Sequence, residues 1–174
     1  LEEFAHVSRP VMLAMVPEHM IIHAAGVELK GEWEPSYEEE VIEAHVAHLI
    51  EKFQPAHNSL QDVKLEPRYR KLHWTLMQAS RSYGETIATY IDYKRLFLSP
   101  QYMTKAYYRK QRDGRQWDAL AREHAEAVLG ELDQLRTQAP DAFGLLSITD
   151  ADLHGFESIQ SGVCSFGLTD FLNL

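Results

Sequence analysis

The stretch PRYRKLHWTLMQASRSYGETIATYIDYKRLF, residues 67–97, decides the fold. Tyr69, Leu72, Leu76, Ala79, Tyr83, Ile87, Tyr90 and Phe97 recur at helical intervals, lining one side of an α-helix about eight turns long. Pro67 suits a first helical position, and Ser99-Pro100 ends or kinks the segment. Gly84 is the one weak point inside it.

Outward from this helix the same period recurs. Ser36 followed by Glu39 is a capping-box pattern. Ile42, Val46, Leu49 and Phe53 continue it to Pro55, which closes the segment. Beyond Pro100 a third helix is expected over 101–110, ending at Asp113-Gly114. A fourth is expected over 116–138, with Trp117, Leu120, His124, Val128, Leu132 and Leu135 on one side. Short links between long amphipathic helices favour antiparallel packing.

The first 35 residues read differently. Val11–Val16 and Met20–Ala24 are compact apolar runs separated by Pro17-Glu18-His19, a hairpin pattern, and Val27–Trp33 alternates with period two. One helical segment over Glu18–Ala25 is the rival. At the other end, residues 140–174 are rich in Gly, Ser and Asp, with apolar runs at Phe143–Ile148 and Phe166–Leu172. Thr149 followed by Asp150 and Asp152 suits the start of a short helix. The expected fold is mainly α: an antiparallel helical bundle with a small N-terminal β-hairpin or short sheet, α+β being the alternative. One domain over 1–174 is expected, with an extended or β element at 1–35, a helical body at 36–139 and an irregular tail at 140–174. A start without methionine and a finish in Phe171-Leu172-Asn173-Leu174 fit a fragment of a longer chain.

Composition is that of a globular chain: 174 residues, 45% hydrophobic and 25% charged, which excludes a disordered or low-complexity protein. One cysteine excludes a disulfide framework and a cysteine-based zinc finger. No apolar run approaches the ~20 residues of a membrane helix, and no signal-peptide pattern opens the chain, so a cytoplasmic protein with no membrane partner is expected.

The net charge of −9 argues at first against anionic partners, but the charge is partitioned. Residues 1–63 hold 3 basic and 12 acidic side chains, residues 64–115 hold 12 and 4, and residues 116–174 hold 2 and 10. Inside the basic block, Lys105, Tyr107, Tyr108, Arg109, Lys110, Arg112, Arg115 and Trp117 interleave cations with aromatics. That pattern suits an acidic protein surface or nucleic acid. The competing expectation is that the acidic segments neutralise the block within the bundle. A regulatory or interaction domain, as monomer or homodimer, is the functional expectation.

Two enzymatic alternatives stand beside it. His45 and His48, three apart, with His57 beyond Pro55, are the candidate ligands of a divalent metal, with Glu39, Glu40 and Glu43 able to complete a hydrolase- or oxygenase-type site. No HExxH motif and no pair of Glu-x-x-His motifs accompanies them. His19 and His23 form a second spaced pair. Arg68 and His73 have a spacing that resembles the Arg-x4-His motif of HEPN-type ribonucleases, which are helical bundles. The resemblance covers six residues and implies action on a scissile phosphate and its 2′-hydroxyl. Residues five apart are ~140° apart around an ideal helix, so convergence would need an irregular helix start or a dimer. Cys164, between Gly162 and Gly167 and ten residues after His154, is the remaining nucleophile candidate. Nothing resembles a phosphate-binding glycine loop.

Overall fold

The computed structural model describes residues 2–15, 35–63 and 67–166. The described residues are mainly helical, with no strand among them. Helix α1 covers Glu2–Ala14, α2 Pro35–Ala47, α3 Gln54–Gln61, α4 Arg70–Phe97, α5 Lys105–Gln138, α6 Pro140–Leu145 and α7 Asp150–Gln160. A π-helical segment, His48–Phe53, joins α2 to α3, and a 3-10 turn, Pro67–Tyr69, leads into α4.

The α4–α5 hairpin is the spine. Its antiparallel sense follows from its cross-links: Lys71 reaches Glu131 at one end, and Tyr93 stacks on Tyr107 at the other. The expected seam is buried from Tyr69, in the 3-10 turn, through Leu72, Leu76, Ala79, Tyr83 and Ile87 to Tyr90, while Phe97 at its end is half-buried. Helix α2, the π segment and α3 lie along α4, while α6 and α7 fold back on α5. Helix α1 closes the bundle between α3 and α7. Gly155 permits that closure, since a Cβ there would meet the Met12 carbonyl oxygen at 3.2 Å.

Four expectations need correction. Val11–Ala14 is not a strand but the last turn of α1. Ser8, Val11, Met12 and Met15 are buried on one helical face, and an apolar run this short fits either period. Pro10 sits inside that helix at an exposed position. The other parts of the proposed hairpin, Met20–Ala24 and Val27–Trp33, lie outside the described residues, as do His19 and His23.

Pro55 does not end a helix. The Gln54 N–H reaches back five residues to Leu49 O, and Pro55, which lacks an N–H, takes a first-turn position in α3. The π segment thereby keeps both His48 and Phe53 buried.

The third and fourth helices are one. Asp113-Gly114 is not a break, because Gly114 is the contact point for Phe166: a Cβ there would fall inside the ring. The buried seam of α5 is Tyr107, Gln111, Gly114, Asp118, Ala121, Ala125, Val128 and Leu132, a strict four–three alternation. Leu120, expected on that seam, is exposed.

Residues 140–174, expected to be irregular, contain α6 and α7 in their described part. Thr149 caps α7 as its sequence suggests: its hydroxyl accepts from the Asp152 N–H, and the Asp152 carboxylate accepts from the Thr149 N–H. Gly162, at φ +110°, then ends the helix.

Candidate binding surface and interior polar sites

The tip of the α4–α5 hairpin is built by a short helix-breaking turn. The Ser99 hydroxyl donates to Leu96 O and accepts from the Gln101 N–H, and Pro100 cannot continue α4. Met103, at φ +64°, reverses the chain, and α5 starts at Lys105. Tyr102 packs edge-on against Phe97 and Tyr107 at centroid distances of 4.9 and 5.1 Å, yet Tyr102 and Met103 remain 45% and 60% exposed.

The eight residues of the basic aromatic block separate by helical phase. Lys105, Tyr108, Arg109 and Arg112 are exposed, at i, i+3, i+4 and i+7 along one outer face. The three cations span roughly 10 Å of helix axis. None has an ion-pair partner among the described residues. Lys110 reaches Asp92 at 3.4 Å. Tyr107 is buried, and its hydroxyl donates to Tyr93 Oη, which donates in turn to Phe166 O. Trp117 and Arg115 are half-buried, Arg115 beside the terminal segment.

Neutralisation inside the bundle claims other cations. Lys71 pairs with Glu131 at 2.9 Å, and Lys94 pairs with Glu38 at 3.1 Å while lying over the Tyr90 and Phe97 rings. The flanking acids therefore reach α4 but leave the outer stripe of α5 uncompensated.

The histidines serve the interior. The His45 Nδ1–H donates to Val41 O at 2.7 Å, and the fully buried ring lies against Tyr90. His48 Nε2 accepts from the Tyr83 hydroxyl at 2.8 Å, and the ring also hydrogen-bonds the Ala14 carbonyl, tying α1 to α4. His57 bridges Ser80 and Gln61 and stacks on Phe53. Burial is the main cause pushing all three below the usual imidazole range, His48 to about 4, so each ring is neutral. His45 bonds within its own helix, and its buried Nε2 has no hydrogen-bond partner among the described residues. His48 and His57 face other helices, and the three do not converge, while Glu39, Glu40 and Glu43 are exposed. Among the described residues, no group of three His, Cys, Asp or Glu side chains is placed to hold a metal.

Arg68 and His73 are likewise put to separate uses. The Arg68 guanidinium lies over the Tyr69 ring, and His73 Nε2–H donates to Leu60 O.

One region is not apparent in the sequence. Residues 161–166 run along α5 with their backbone groups held by side chains. Asp118 Oδ1 accepts from the Val163 and Cys164 N–H groups at 2.6 and 3.2 Å, and its other oxygen accepts from Arg122 Nε. Phe166 O accepts from Gln111 Nε2 and Tyr93 Oη. A cleft of about 530 Å³ opens beside this segment, lined by Arg115, Asp118, Arg122, Gly162 and Cys164 among others. Cys164 is buried, and His154 is exposed on α7 away from the cleft lining. A buried Gln, Gly and Asp at core positions is the signal that could have revealed the docked segment. No protein family, curated protein or solved structure matches this chain.

Proposed function

We propose that this chain is a non-catalytic interaction module that binds an acidic protein surface. Contact is made through the outer face of α5, namely Lys105, Tyr108, Arg109 and Arg112, with Tyr102 and Met103 at the adjoining tip. The observation that carries this reading is the row of three exposed, uncompensated cations flanking an exposed tyrosine on one helical face. Cations attract an acidic patch and set its register, while Tyr102, Met103 and Tyr108 supply apolar contact area. A row of roughly 10 Å matches about two turns of an acidic helix.

Binding of a fluorescent poly-glutamate peptide, beside single-stranded and duplex oligonucleotides, tests the reading across salt concentrations. The expected result is salt-sensitive peptide binding, lost in Arg109→Glu/Arg112→Glu with thermal stability unchanged. Tighter binding of an oligonucleotide than of the peptide overturns the choice of partner. Peptide binding that survives the double reversal overturns the choice of surface.

A further inference from the structure

The basic row is only half of a longer exposed stripe. Lys105, Arg109, Arg112, Gln116, Ala119, Glu123, Glu126 and Gly130 follow one another at four- and three-residue steps, and all eight are exposed. The stripe is basic in its first half and acidic in its second, with small or neutral residues between. Glu123 and Glu126, like the three cations, have no ion-pair partner among the described residues. From the proposed function, on which this step rests, we infer that the acidic surface met by α5 is the α5 stripe of a second copy of this chain, packed antiparallel about a two-fold axis.

Antiparallel alignment centred between Gln116 and Ala119 sets Arg112 against Glu123 and Arg109 against Glu126. The two-fold repeats both contacts, so four ion pairs form from two residue pairings. Tyr108 then faces the exposed Ala127, and Lys105 faces Gly130. Ala119 and Gly130 leave room for close approach of the backbones. Leu120, 39% exposed, flanks the axis where the two copies cross. A parallel alignment sets cations on cations and carboxylates on carboxylates, so the charge order selects one orientation. Two other charges near the stripe are paired within the chain. Arg122 is held by Asp118, and Asp133 is paired with Arg136. Exposed ion pairs contribute little each, so the dimer is weak and salt-sensitive.

Charge swaps test the register. Arg109→Glu/Arg112→Glu makes the stripe acidic throughout, and Glu123→Arg/Glu126→Arg makes it basic throughout. Sedimentation equilibrium over a wide concentration range should show wild-type dimerisation that weakens in high salt. Each double variant alone should dimerise at least about tenfold more weakly. A mixture of the two variants should recover association as a heterodimer, because all four pairings are again between opposite charges, two with the wild-type sign and two inverted. Circular dichroism and melting of each variant exclude unfolding as the cause. A monomeric wild type, a salt-independent dimer or a mixture that stays monomeric overturns the inference. The poly-glutamate titration separates the two levels. A monomeric wild type that still binds the peptide refutes self-recognition alone, and one that binds neither refutes the proposed function as well.

Discussion

Helix α5 contains two glycines that place opposite demands on the same substitution. At Gly130 a Cβ would have no atom within 4 Å, so Gly130→Ala gains helix propensity and meets nothing. The expected gain approaches 1 kcal/mol, or a rise of about 2–4 °C in melting temperature for a chain of this size. At Gly114 the new methyl lands inside the Phe166 ring, which is 2% exposed and must leave its site. Evicting a buried phenylalanine costs about 3–5 kcal/mol. Subtracting the propensity gain leaves Gly114→Ala destabilised by about 2–4 kcal/mol. In a Phe166→Ala background the obstacle is gone, and Gly114→Ala should change sign to a gain of up to about 1 kcal/mol. Urea unfolding of the four chains in this cycle measures the effect. Equal, small effects of Gly114→Ala with and without Phe166 would refute the packing of the terminal segment on α5.

Two more outcomes follow from the interior polar groups. Asp118→Ala strips the acceptor from two backbone N–H groups and should cost about 2–4 kcal/mol in chemical denaturation, whereas Asp118→Asn keeps an acceptor and should cost less. Equal stability of Asp118→Ala and wild type would show that the segment is not held there. The His48 ring is harder to protonate folded than unfolded, so the unfolded chain takes up the proton first as pH falls. Its contribution is therefore complete above pH 6.5 and is lost on acidification towards pH 4. That loss is on the order of 3 kcal/mol, and His45 and His57 act in the same direction. Melting curves across this window should be markedly flatter for His48→Gln, and a wild-type curve already flat there contradicts the assignment.

The sequence announces α4 and conceals α5, for one physical reason. The α4 seam packs mainly against apolar partners, so Leu72, Leu76, Tyr83 and Ile87 display its period directly. The α5 seam changes partner along its length. Where it faces the 161–166 backbone it needs donors, acceptors and clearance, and Gln111, Gly114 and Asp118 supply them. Read for hydrophobicity alone, those residues look like a helix end followed by a solvated turn. Pro55 misleads similarly, since a π segment ahead of it absorbs the missing N–H. Of the binding block, residue type identified the cations and helical phase sorted them: Tyr107 turns inward to Tyr93, and Arg109 and Arg112 turn out. The cluster of histidines drew attention as metal ligands, but imidazole is equally a donor–acceptor pair suited to joining buried helices. Which role applies depends on where the rings point, and spacing leaves that open.

The docking of residues 161–166 has a consequence for the order in which the molecule assembles. The α4–α5 hairpin needs only a short turn to close, whereas the Asp118–Val163 and Tyr93–Phe166 bonds join positions 45 and 73 residues apart. Contacts of such separation must overcome a larger chain-closure entropy and are formed late. Closure entropy thus places the docking of this segment after the α4–α5 hairpin has formed. Weakening it at Gly114 or Asp118 should hasten unfolding while leaving the folding rate almost untouched. The residence time of the folded state then depends on a handful of main-chain bonds to this segment as well as on the aromatic seam.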